Sequence, residues 1–135
     1  TGQWRRLVAV KDKYRGTTKY FHVMAELVRA AQHRGLTTYQ DVAVIMGLPV
    51  TGSYMGNETG RILGEISEDE VLANRPMLSA VAVGVNGKPG PGFYDLARAL
   101  GRLAAGQDEA NFWEEERQRV YEAWRRPLPQ TEKAG

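Results

Sequence analysis

Apolar positions recur with helical spacing over most of this chain. Thr17 or Thr18 stands before Tyr20, Val23, Met24, Leu27, Val28 and Ala31, whose spacing of three and four builds one apolar stripe. A capped helix is predicted there, with Gly35 as its end. A second helix is predicted from Thr37 or Thr38, with Tyr39, Val42, Ala43 and Met46 facing inward and Gly47-Leu48-Pro49 as the stop. Residues 51–56 read as a loop, and a third helix is predicted from near Asn57 with Ile62, Leu63 and Ile66 on its apolar side. Ser67-Glu68-Asp69-Glu70 has the form of a fresh cap, so two helices meeting there is the alternative to one.

The pattern changes after residue 76. Residues 77–85 are almost continuously apolar with β-branched members, which predicts a buried strand, and Asn86-Gly87 is a strong turn dipeptide. Phe93, Leu96, Ala97 and Leu100 form a short helix ended by Gly101. Asp108 caps the last helix, whose Phe112, Trp113, Val120, Tyr121 and Trp124 make an aromatic face opposite Glu114, Glu115 and Glu116. Such a face packs on its own domain or, through Trp113 and Trp124, serves a protein partner or a second copy of the chain.

This order predicts an α+β, mainly helical fold: a winged helix-turn-helix core with a short β wing and additional C-terminal helices. A single domain is expected over residues 20–126, preceded by a basic N-terminal arm over 1–19 and followed by a polar, disordered tail over 127–135. Cysteine is absent, which excludes disulfides, thiol nucleophiles and cysteine-ligated metal, and points to a reducing, cytoplasmic setting. No apolar run approaches the roughly 20 residues that span a bilayer, so no membrane partner is expected.

Net charge is only +2, but it is unevenly placed. Arg5, Arg6, Lys11, Lys13, Arg15 and Lys19 face only Asp12 in the first nineteen residues, whereas residues 20–70 hold three basic against seven acidic side chains. The arm suits a polyanion; the acidic middle does not.

Gly35-Leu36-Thr37-Thr38-Tyr39-Gln40-Asp41-Val42-Ala43, then Gly47-Leu48-Pro49 and Gly60-Arg61-Ile62-Leu63, resemble the winged-helix DNA-binding domain of the alkylguanine-DNA alkyltransferases and their non-catalytic alkyltransferase-like relatives. The resemblance covers residues 35–84. It implies that Tyr39 presses on the phosphate of a nucleotide being flipped out and that the following helix enters the minor groove. The family's finger arginine falls on Asn57, its reactive cysteine on Ser79 and its histidine on Ala80. Alkyl transfer needs a thiolate activated through that histidine, so the family chemistry is absent.

Two functions follow as expectations. The first is a non-catalytic module for double-stranded DNA, modified or distorted, using Arg5, Arg6, Lys11, Lys13, Arg15, Tyr39, Asn57, Arg61 and Lys88. The second is a protein-interaction adaptor using the same scaffold and the C-terminal aromatic helix. A hydrolytic or small-molecule site around Ser79 is the third option. The loop of Asn86, Gly87, Lys88, Gly90, Gly92 and Tyr94, next to Ser79, is a candidate anion or ligand cradle because its glycines leave amides unobstructed before a helix N-terminus. It lacks the spacing of a nucleotide-binding fingerprint. Glu65, Glu68, Asp69 and Glu70 read as a solvated helix end, and no metal or cofactor is expected.

Overall fold

The computed structural model describes residues 12–128. The expectations for Arg5, Arg6 and Lys11, and for residues 129–135, lie outside them. The chain forms helices α1 (Thr18–Gln32), α2 (Tyr39–Met46), α3 (Ser53–Leu72), α4 (Pro91–Ala99) and α5 (Glu109–Ala123), with two short strands, β1 (Thr37–Thr38) and β2 (Ala82–Val83). The fold is α+β and mainly helical.

Local chemistry explains the helix ends. The Thr17 side chain accepts the Tyr20 N–H, and the Asp108 side chain accepts the Asn111 N–H. Thr38 and Asp41 close a reciprocal capping box on α2. Gly47 ends α2 in the left-handed region at φ 74. At the end of α1, however, Arg34 rather than Gly35 takes the left-handed turn, at φ 53, while the Gly35 N–H returns to the Ala30 carbonyl at 2.8 Å.

The third helix and the apolar run after it differ from expectation. The third helix starts at Ser53, four residues before Asn57, and runs unbroken through Ser67. Ser67 is no cap: it is buried, accepts the Ser79 N–H at 3.0 Å and donates to Ser79 Oγ at 2.6 Å. The apolar run of 77–85 is a 3₁₀ turn (Leu78–Val81) followed by the two residues of β2. An alternating strand hides one face; here Met77, Leu78, Ala80 and Val81 are all buried among α1, α3 and α5. Side chains take up the backbone groups that a ladder would have used: Glu116 accepts the Met77 N–H at 2.9 Å, and Trp113 Nε1 donates to the Ala80 carbonyl at 2.9 Å.

β2 pairs with β1 in parallel, Thr37 opposite Ala82 and Thr38 opposite Val83. This pairing fixes the start of α2 beside the 3₁₀ turn. The expected turn at Asn86-Gly87 is present, with Gly87 at φ 78 and the Gly84 N–H bonded to the Lys88 carbonyl at 2.9 Å. Among the described residues, however, no further strand pairs across it and no β wing is formed around it.

Leu27, Met46, Ile62, Ile66, Met77, Leu78 and Phe112 are fully buried at the centre, each contributing about 1.5–3 kcal/mol by leaving water. α5 lays Phe112, Val120 and Tyr121 into this core, and Trp113 and Trp124 pack half-buried against it. Glu116 belongs to the buried side of α5, contrary to the expectation of a polar face, because Arg102 (2.7 Å) and Arg119 (3.2 Å) neutralise it there.

Candidate functional site

A cavity of about 1010 Å³ opens between the first half of α3, the start of α2 and the start of α4. Its origin lies in the sequence of α3. Gly56, Gly60 and Gly64 recur every four residues, so they share one helix face and leave it without side chains. An added Cβ at Gly56 or Gly60 would meet nothing within 4 Å. Met55, Asn57, Glu58, Thr59, Arg61 and Leu63 complete the α3 wall; Tyr39 and Gln40 come from α2, and Phe93 and Leu96 from α4. Ser79 reaches the cavity from the 3₁₀ turn.

Six residues singled out in the sequence therefore share one cavity: Tyr39, Asn57, Arg61, Ser79, Gly90 and Gly92. Asn86, Gly87, Lys88 and Tyr94 are not among its lining residues. Three of the amides expected to cradle an anion, those of Gly87, Lys88 and Gly90, are taken up internally. Gly87 N–H bonds to Gly84 O at 3.0 Å, Lys88 N–H to Asn86 Oδ1 at 3.1 Å, and Gly90 N–H to the Tyr39 hydroxyl oxygen at 2.8 Å. Tyr94 stands edge-on to Phe93 with ring centres 5.3 Å apart, and partial burial raises the pKa of its hydroxyl.

Two hydroxyls mark the cavity's polar floor. Burial raises the Tyr39 pKa, an effect partly offset by the Gly90 N–H that its oxygen accepts. Ser79 is only 6% exposed, and its oxygen accepts from Ser67. Among the described residues neither hydroxyl donates its own proton to a protein acceptor. Ser79 also has no base bonded to it among the described residues, since its partner is another neutral hydroxyl. That constellation favours binding over nucleophilic attack.

Glu58 forms a charged part of the wall. Lys13 Nζ lies 2.5 Å from its carboxylate and the Tyr14 hydroxyl donates to it; together they hold the Glu58 pKa below the usual carboxylate range. Burial, reinforced by that carboxylate, raises the Tyr14 pKa to about 12. Arg15 pairs with Glu68, Asp69 (3.0 Å) and Asp12. Lys13 and Arg15 thus place their charges on α3, and from Asp12 onward the basic arm is part of the folded body. Tyr14 is itself a core residue.

The acidic middle is correspondingly internal. Glu58, Glu65, Glu68 and Glu70 are buried, not a solvated helix end, and Glu70 is paired with Arg75 at 2.7 Å. Arg61 and Lys88 remain exposed, Arg61 close enough to help lower the Glu58 pKa. Gln40, Glu58, Phe93 and the three glycines were not anticipated as site residues; the four-residue glycine spacing was the signal available for them.

Among the described residues no group of histidine, aspartate and glutamate side chains could hold a metal ion, and no helix is long and apolar enough to cross a membrane. Comparison with protein-family models, curated proteins and solved structures finds no match.

Proposed function

We propose that this chain is a non-catalytic DNA-binding module of winged-helix type, which engages modified or distorted duplex and receives a displaced base in the α3 cavity. The observation that carries this reading is the convergence of Tyr39, Asn57, Arg61 and Ser79 on that cavity. The alkyltransferase-like resemblance assigns Tyr39 to phosphate contact, Asn57 to the finger position and Ser79 to the position of the reactive residue, and Arg61 belongs to the helix run that it matches. The volume matches the upper end of small-ligand sites, about 300–1,000 Å³. Internal neutralisation of the α3 carboxylates removes the electrostatic objection raised by the acidic middle, while Arg61 and Lys88 remain available to phosphates. Trp113 and Trp124 pack against the chain's own core, which supports a structural role for the C-terminal aromatic face over an adaptor role.

The test is a fluorescence titration of labelled duplexes, one plain and one carrying a modified guanine, at low and moderate salt. Binding is expected to be weak, to fall with salt, and to favour the modified duplex. Replacing Arg5, Arg6 and Lys11 by alanine should flatten the salt dependence, because fewer counterions are then released. Tyr39→Ala should weaken binding to the modified duplex more than to the plain one, since extrusion costs least at a damaged base. No binding at low salt would refute the reading.

A further inference from the structure

We infer that the cavity selects a nucleobase presenting an oxygen acceptor, through the hydroxyl protons of Ser79 and Tyr39. The inference deepens the DNA-binding reading above and rests on it.

The argument begins with proton accounting at Ser79. A serine hydroxyl has one proton to donate and two lone pairs to accept with. Ser67 Oγ accepts the Ser79 backbone N–H at 3.0 Å and directs its single proton to Ser79 Oγ at 2.6 Å. Ser79 Oγ is thereby fixed as an acceptor toward the protein, and its own proton has no described acceptor. With 6% exposure at a cavity wall, the remaining partner for that proton is whatever occupies the cavity. Tyr39 repeats the arrangement: the Gly90 N–H donates to its oxygen at 2.8 Å, which leaves the phenolic proton uncommitted. Burial raises the Tyr39 pKa, so that proton stays in place at neutral pH.

A cavity with two unassigned hydroxyl donors favours a ligand that brings an acceptor. An exocyclic oxygen, as on guanine, hypoxanthine, thymine or uracil, accepts such protons. An exocyclic amino group at the same place can donate to the second lone pair of either oxygen, but it accepts neither hydroxyl proton and leaves both unpartnered. Ser67 is the positioning residue: lying across from Ser79 on α3, it determines which way the Ser79 hydroxyl is used. The neutral hydroxyl pair also differs from a thiolate site, in that it recognises the ligand without attacking it.

The experiment uses duplexes containing one unpaired nucleotide, either hypoxanthine or adenine, at the same position and in the same flanking sequence. The two bases differ at C6, oxygen versus amino group, and at N1, a donor in hypoxanthine and an acceptor in adenine, so the hydroxyl variants assign the preference to Ser79 and Tyr39. The unaltered protein should favour the hypoxanthine duplex by about fivefold to thirtyfold, the usual worth of one or two net hydrogen bonds. Ser79→Ala should bring that preference toward unity, because the hypoxanthine duplex loses a donor to its oxygen while the unpartnered proton that disfavours adenine is removed. Tyr39→Phe, which keeps the ring and removes the proton, gives an independent reading should the first variant melt early. Loss of preference in one folded variant alone confines the inference to that hydroxyl. Equal affinity of the unaltered protein for both duplexes, or a preference surviving both substitutions, overturns the inference and leaves DNA binding standing. No binding to either duplex overturns both.

Discussion

Glu65, wholly buried in the middle of α3, accepts the backbone N–H of Tyr14 through both carboxylate oxygens, at 2.9 and 3.1 Å. The same carboxylate takes the N–H of Lys13 at 3.1 Å and of Arg15 at 2.8 Å. One acidic side chain thus satisfies three consecutive amides of the segment preceding α1. That segment also carries Lys13 and Tyr14, the two groups that hold Glu58 at the cavity wall.

The Glu65 clasp can be tested by substitution. Glu65→Ala leaves three amides without their acceptor, that of Tyr14 in a buried position, and stability should fall by about 3 kcal/mol. Glu65→Gln keeps one acceptor oxygen and should lose less. Denaturant midpoints for both variants decide the matter, and equal stability for Glu65→Ala and the parent would show that the segment contributes nothing to the fold.

The Tyr14–Glu58 contact should give stability two limits in pH. Glu58 titrates lower in the folded protein than in the unfolded chain, so its contribution is present above the ordinary carboxylate pKa and is lost as pH falls through the folded value. Tyr14 titrates higher, at about 12 against 10.0, so its contribution is present below pH 10.0 and is lost as pH rises toward about 12. Urea midpoints across the pH range should therefore decline at both ends. Tyr14→Phe should shrink the alkaline decline, though not abolish it, because burial and Asp69 raise the Tyr20 hydroxyl as well. An alkaline limb identical to the parent's would mean that the Tyr14 hydroxyl is not protected by folding.

Legibility in the sequence followed the range of the interactions. α1, α2 and α5 were readable because stripe and cap lie within a few residues of one another: Thr17 with Tyr20, Thr38 with Asp41, Asp108 with Asn111. Ser67 was misread because a serine before acidic residues looks like a cap until its partner, Ser79, is known. The run at 77–85 was misread because continuous apolar character does not distinguish a strand from a turn buried on every side. Glu58, Glu68 and Asp69 looked solvated because their cations, Lys13 and Arg15, stand 45 to 54 positions earlier, and Glu65 because its partners are backbone amides of that same distant segment. Within the site, Tyr39, Asn57 and Ser79 came from the resemblance. The space between them comes from Gly56, Gly60 and Gly64, whose effect depends on α3 beginning at Ser53.

Trp113 connects α5 to the turn that carries Ser79, through Nε1 to the Ala80 carbonyl at 2.9 Å, with the Arg117 guanidinium 4.8 Å from its ring centre. Trp113→Ala should lower stability by about 3 kcal/mol, the low end for deleting a large aromatic, because the ring is only half-buried. It should also loosen the Ser79 region, read as faster amide exchange at Ala80 and Val81. An unchanged melting curve accompanied by loss of a binding partner would instead make Trp113 an interaction residue.

Gly60 separates the cavity's role from the fold's. It lies in the interior of α3, where glycine costs about 1 kcal/mol relative to a good helix former, and a Cβ there meets nothing within 4 Å. Gly60→Leu should therefore raise stability by up to about 1 kcal/mol, seen as a higher melting temperature. The same side chain would stand in the cavity that Gly60 lines and oppose entry of a base. Preference for a modified or distorted duplex should then fall, while weak salt-dependent binding to plain duplex through exposed cations persists, because phosphate contacts do not require the cavity. A bare glycine strip kept at the expense of helix stability is what a functional opening would require. If Gly60→Leu proves more stable yet retains full preference for the modified duplex, the base does not enter between α3 and α4, and the cavity is not where recognition occurs.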